Sequence, residues 1–220
     1  MARARSGCGE CMDETTLRLE LARAAEAFDL SPNSDRLKVV SRLFDAYPEN
    51  VDLSTVWWKV AVLDSLYDTN LRFSVGTEGV AKWIVANRRT FGKSVSEGEI
   101  DAERMLEAGP SSVSNLVGDR LYSFATKYCH FSNPAAYPIY DSRSYESLRA
   151  FHRVKPLPFD PFKLDGSRWY EEWSKDIQEV MAFLSTPDYR EADKPLYQWN
   201  GGRQTPRFGG FRFSLPELRT

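Results

Sequence analysis

Apolar side chains recur every three or four positions through most of this chain, and no segment keeps an alternation of period two. Leu17, Leu21, Ala25 and Phe28 lie on one stripe and predict a helix over 15–29, broken by Ser31-Pro32. Ser34 reads as the cap of a second helix, with Leu37, Val40, Leu43 and Phe44 inward and Pro48 as its stop. From Leu53 to about Tyr67 the pattern changes. Val56-Trp57-Trp58-Lys59-Val60-Ala61-Val62-Leu63 is apolar nearly all round, which predicts a helix buried between layers. It ends in Tyr67-Asp68-Thr69-Asn70, so that Asn70 is either a binding residue at the tip of a rigid element or simply the helix cap.

A further helix is expected within 74–90, around Val80, Trp83 and Ile84, and a short charged one near 97–107. Tyr122, Ala125, Tyr128 and Cys129 then share a helical face. Asn133-Pro134 and Tyr137-Pro138 end that helix, because a residue before proline is pushed out of the α region. Asp141 stands at the N-cap of the next helix, over 142–152, with Tyr145, Leu148 and Phe151 inward. A proline-rich connection at 156–166 leads to a helix capped by Ser167, striped by Trp173, Ile177, Val180, Met181 and Leu184, and ended by Pro187. From Trp199 onward the glycines leave little helical potential, and 199–220 reads as an extended basic arm or an irregular hairpin. The expectation is an all-α protein: a tail at 1–14, a helical domain at 15–198 and the arm.

Composition changes this picture little. The 220 residues are 42% hydrophobic and 27% charged, ordinary for a soluble globular chain. No apolar run approaches the length that spans a bilayer, and Met1-Ala-Arg-Ala-Arg lacks the apolar core of a signal peptide, so no membrane role and a cytoplasmic location are expected. Cys8-Gly-Glu-Cys11 is half of a zinc site at most, and neither a metal nor a cofactor is expected. The net charge of −2 carries no global sign of nucleic-acid binding. Residues 118–157 and 198–220 are each basic by three charges, enough for faces that grip phosphates or merely for solvated ones.

Phosphate loops, HExxH and a nucleophile elbow are all absent. What remains is Asp141, with Lys127, His130 and Arg143 close by in sequence, and Asn70 on the tryptophan-rich helix. A single carboxylate suits chemistry in which positive charge develops on a sugar, because it stabilises an oxocarbenium-like centre and orients water. A lysine nearby suits attack on the same carbon if its pKa is depressed. The alternative reading of Asp141 is a plain helix cap.

The order of these pieces resembles the helix-hairpin-helix DNA glycosylase superfamily. Ala61 to Asn70 is similar to the family's buried helix that ends in a polar wedge residue, and Ala125-Thr-Lys-Tyr-Cys129 followed by Ile139-Tyr-Asp141-Ser-Arg143 is similar to the family's lysine helix and catalytic aspartate. In the archaeal 8-oxoguanine branch the lysine-to-aspartate separation falls here on Ser123 and Asp141, with Lys127 one helical turn later on the same face. The hairpin is reduced to Val117-Gly118-Asp119, and there is no C-terminal cysteine cluster.

That resemblance implies two helical lobes with a cleft between them, and a monomeric, monofunctional enzyme acting on double-stranded DNA. A damaged or modified base would be flipped into the cleft, since its glycosidic bond is out of reach in the stack. Asp141 would stabilise the sugar cation, with Lys127 as nucleophile or electrostatic aid. Trp57, Tyr67, Tyr140, Ser123 and His130 would form the base pocket. Asn70 would fill the gap in the duplex, and Gly118, Arg120, Arg143, Arg203, Arg207 and Arg212 would hold the backbone. A base in repair or a modified base of invading phage DNA would both suit such an enzyme. The rivals are a non-catalytic DNA-binding module on the same fold and a helical protein-interaction domain.

Overall fold

Asp13 starts the first helix by accepting the Thr16 N–H on its carboxylate at 2.7 Å, which satisfies one of the orphan donors of a helix start. The computed structural model in which this is seen describes residues 12–69, 71, 76–88, 120–161 and 169–199. Among these residues there are eight helices and no strand, so the all-α expectation holds. In chain order they are α1 (Glu14–Asp29), α2 (Pro32–Ala46), α3 (Leu53–Tyr67), α4 (Thr77–Ala86), α5 (Arg120–Ser132), α6 (Ser142–Val154), α7 (Trp169–Leu184) and α8 (Tyr189–Trp199).

Local chemistry sets the boundaries, and it corrects three expectations. Ser31, not Ser34, caps α2: its hydroxyl accepts the Asn33 N–H, and Pro32 sits in the first turn, where a missing N–H costs nothing. Ser34 is buried one turn further in. On α1 the buried alanine is Ala24, next along from the expected Ala25 on the same side of the helix. At the end of α3 the cap is Asp68 in the left-handed region (φ 50), not Asn70, which lies outside the described residues. Asp64 secures this turn by accepting from the Thr69 hydroxyl at 2.6 Å and the Leu71 N–H at 2.9 Å. Gly76 precedes α4 at φ +76, a conformation that favours glycine. The helix expected at 97–107, Cys8, Cys11, the Ser167 cap and residues 200–220 of the expected arm also lie outside the described residues, while Trp199, expected to open that arm, ends α8 instead.

Helix α3 was expected to lie buried between layers. It packs on α2, α4 and α5, and Val56, Lys59, Val60 and Leu63 are its buried residues. The remaining face meets solvent, which leaves Trp57 and Trp58 exposed at 42% and 52%. The fully buried cation on this helix is stabilised by acceptors: Lys59 Nζ donates to the Glu49 carbonyl (3.1 Å) and to Asn50 Oδ1 (3.0 Å). Tyr128 donates to the same amide oxygen at 2.7 Å, joining the α2–α3 turn to α5. Burial pulls the Lys59 ammonium down to about 8.

Buried apolar residues from all eight helices join in one cluster, from Leu17 and Leu21 through Val60, Phe124 and Trp173 to Leu196. Trp173, Ile177 and Val180 line the core face of α7 as expected, joined by Phe183. On α6, Leu148 and Phe151 are inward as expected, whereas Tyr145 is only partly covered and Ser144 and Ser147 take the deeper positions.

Helix α8 was not anticipated. Tyr189, Ala192, Leu196 and Trp199 follow helical spacing, but Pro195 within the segment and Pro187 before it argue for a loop. The helix forms because one face is buried along its whole length, with Pro195 itself on that face. It lies against α1, α6 and α7, and tertiary burial outweighs the hydrogen bond that proline cannot donate.

Candidate active site

The segment joining α5 to α6 is held by side chains from two helices. His130 at the end of α5 donates from Nδ1 to the Tyr137 carbonyl at 2.8 Å. Tyr170 of α7 donates to the Pro138 carbonyl at 2.7 Å. Thr126 of α5 accepts the Tyr140 N–H at 3.1 Å and donates to the Tyr140 carbonyl at 3.3 Å. Backbone groups that prolines prevent from pairing in a helix are thus met one after another, and the chain reaches Asp141 in a fixed direction.

Asp141 then does two things. Its Oδ1 accepts the N–H groups of Arg143 (3.0 Å) and Ser144 (2.9 Å), so the expected N-cap of α6 is present. Its Oδ2 lies 3.3 Å from Lys127 Nζ, in an ion pair whose side chains are 12% and 3% exposed. Burial alone would raise this carboxyl. The Lys127 charge and the two backbone donors outweigh it and hold Asp141 below the ordinary carboxylate value, ionised at neutral pH. Lys127 also donates to Ser123 Oγ at 2.7 Å and stands 5.8 Å from the centre of the Tyr67 ring. Ser123 and Lys127 lie one helical turn apart on one face, and Lys127 bridges the Ser123 hydroxyl to the Asp141 carboxylate.

These groups form one wall of a cleft of about 480 Å³. Tyr67, Tyr140, Tyr145 and Tyr197 supply aromatic surface around it, and Arg143 stands at its edge with its guanidinium 4.7 Å from the Tyr197 ring centre. A smaller cavity of about 20 Å³ shares Tyr67, Lys127, Asp141 and Tyr197 with the cleft and is bordered also by Asp193 and Arg36. Asp193 comes from α8 and accepts the Ser144 hydroxyl at 3.2 Å. Withdrawal from water and the charge of Asp141 raise the Asp193 carboxyl to about 7, against the opposing effects of Lys127 and Ser144. Burial also raises the Tyr67 and Tyr197 phenols, so both are neutral donors at physiological pH.

The sequence-predicted residues divide clearly. Ser123, Lys127, Tyr67, Tyr140, Asp141 and Arg143 meet at the cleft. Trp57 does not border it: its indole donates to Thr77 Oγ1 at 2.9 Å, which holds it over the start of α4. His130 is fully buried one turn from Lys127 and serves the loop, not the cleft. Its Nε2 has no hydrogen-bond partner, and burial lowers the ring to about 4, so it is a neutral structural histidine. Asn70, Gly118, Arg203, Arg207 and Arg212 lie outside the described residues, as does the side chain of Arg120. Sequence reasoning missed Asp193 and Tyr197, since both depend on recognising α8. The spacing from Tyr189 to Leu196 was the available signal.

Comparison with known proteins identifies the family. The family described as HI_0787_N, N-terminal domain, matches residues 20–136, more than half of the chain, and the chain belongs to it. A protein of Haemophilus influenzae described as uncharacterized is 30% identical over 145 residues, covering 66% of this chain and 65% of its own length, just under two thirds of that relative. No solved structure matches. The matched stretch contains Tyr67, Ser123 and Lys127, while Asp141, Asp193 and Tyr197 lie beyond its end.

Proposed function

We propose that this member of the family is a DNA glycosylase: it accepts a damaged or modified base flipped from duplex DNA and hydrolyses the N-glycosidic bond to leave an abasic site. The observation that carries the reading is the ionised, sparsely exposed Asp141 held against Lys127 at the wall of a tyrosine-lined cleft. At about 480 Å³ the cleft falls within the range of small-molecule sites, roughly 300–1,000 Å³. Its tyrosines offer faces on which a base can stack.

Asp141 acts where positive charge develops. As the bond from sugar to base breaks, the electron pair leaves with the base, and the carboxylate stabilises the cationic sugar more strongly than it stabilised the neutral substrate. Lys127 pairs with that carboxylate and with Ser123, which supports a part in fixing Asp141 and setting its charge, and with it a monofunctional enzyme. Arg143, exposed at the rim, would contact a backbone phosphate. The two-lobed helix-hairpin-helix architecture belongs to the same proposal.

The test is base release from genomic DNA and from a panel of defined modified duplexes, with abasic sites scored by alkaline cleavage. Wild type should release a base, and Asp141→Asn, which keeps the cap but removes the charge, should be slower by about 10²-fold or more. Borohydride should trap no covalent complex. One observation favours a second reading, a DNA-binding module without chemistry: both Asp141 oxygens already have protein partners, as in a structural cap. Salt-dependent duplex binding that survives Asp141→Ala, with no base released from any substrate, would establish that instead.

A further inference from the structure

We propose that Asp193 is a second catalytic carboxyl of this site, holding the water that attacks the sugar and taking its proton. The assignment rests on the glycosylase reading and names a residue that reading does not need.

The geometry begins with the small cavity. Its volume of about 20 Å³ is the size for one water molecule, which needs roughly 10–15 Å³ and two to four polar partners. Polar residues border it from five elements, Arg36 of α2, Tyr67 of α3, Lys127 of α5, Asp141 at the start of α6, and Asp193 with Tyr197 of α8, beside the apolar Phe28, Leu37, Leu66 and Ile139. Tyr67, Lys127, Asp141 and Tyr197 border both this cavity and the open cleft, whereas Asp193 borders the cavity alone. A water beside Asp193 therefore adjoins Asp141 and the wall that cavity and cleft share.

The two carboxyls have environments that separate their roles. Asp141 faces Lys127 and two backbone N–H groups and stays ionised. Asp193 faces the Asp141 charge and has the Ser144 hydroxyl as its donor, with Lys127 as the nearby cation and Tyr67 and Tyr197 as neutral phenols. Arg143, the remaining charge at the start of α6, is turned onto the Tyr197 ring. A carboxyl poised near 7 gives and takes a proton readily at physiological pH, the property wanted in a general base. In the step itself, the water oxygen forms a bond to C1′ and the C1′–N bond breaks, its electron pair leaving with the base. The water proton passes to the Asp193 carboxylate and is returned to solvent or to the departing base.

The experiment is single-turnover base release by the full chain between pH 5.5 and 9, on whichever duplex or genomic DNA the wild type processes. The wild-type rate should rise as pH passes through about 7 and then level off. Asp193→Asn keeps an acceptor for Ser144 and should be slower by about 10²–10⁴-fold, with the pH-dependent limb gone. Asp193→Glu should recover part of the rate and restore the limb. Asp193→Asn that works at the wild-type rate with its limb intact overturns the assignment and leaves the glycosylase reading standing. No base release by the wild type overturns both. Carbon-13 titration of the carboxyls separates a folding defect from lost chemistry: an Asp193 resonance moving near pH 7 in wild type, and at lower pH in Asp141→Asn, supports the coupling. An Asp193 that titrates near 4 in both contradicts it.

Discussion

Individual residues in this chain are placed where their ionisation depends on folding, and Asp176 shows the consequence away from the site. It is fully buried on α7, its Oδ1 accepts the Phe159 N–H at 3.0 Å, and its Oδ2 has no hydrogen-bond partner. Burial, together with neighbouring acidic groups, pushes the carboxyl up to about 7 from an ordinary 3.8. The unfolded chain loses this proton near 3.8 and the folded chain only near 7, so stability falls as pH climbs through that window. Asp176→Asn keeps the acceptor for Phe159 and removes the charge. It should stabilise the protein by about 1–2 kcal/mol at pH 8 and leave it unchanged at pH 3.5, as read by denaturant unfolding at the two pH values. Equal effects at both would mean that Asp176 titrates normally in the fold. Lys127 differs from Asp176 in having both a carboxylate and a hydroxyl to meet it.

At the scale of elements, the placement of Asp141 is the work of the segment before it. Thr126 is fully buried and engages both backbone groups of Tyr140, the residue before Asp141. Thr126→Val keeps the shape and leaves a backbone N–H and a carbonyl without these partners, at an expected loss of about 1–3 kcal/mol. Base release should fall by roughly 10–10²-fold even well below the melting temperature, because a misplaced carboxylate costs rate without any loss of fold. Unchanged single-turnover rates in a destabilised Thr126→Val would show that the segment supports stability alone. Much at this scale was legible in sequence. Proline positions marked the end of α5 and Asp141 marked the start of α6, because caps and prolines act through neighbouring residues. Ser31 was misread as a mere break, since Pro32 both ends one helix and opens the next. Trp57 was misplaced because an apolar run does not say which of its faces will meet a neighbouring helix.

For the whole molecule, the decisive pairing is between the first described helix and the last. α8 lies along α1 and also touches α6 and α7, so this last described helix closes the core and delivers Asp193 and Tyr197 to the site. Leu196, 1% exposed, should cost about 2–5 kcal/mol when replaced by Ala. Helicity and tryptophan fluorescence should then still report one coincident transition, since α8 shares the core cluster with the other seven helices. An early, separate loss of helix would mean that α8 docks as an independent unit. This helix was not legible because its stability comes from burial, while its prolines argued locally against it. The half of the site on α3, α5 and the start of α6 came from the cap signal at Asp141 and from the family resemblance. The half on α8 needed the fold.

Asp141 fills two posts, one for the helix and one for the charge, and the two part company under a single codon change. Asparagine caps a helix about as well as aspartate does. A single substitution to asparagine would therefore remove the charge while keeping the cap, the cleft and the aromatic walls. On the proposed reading, that one letter parts a working enzyme from a silent binding protein.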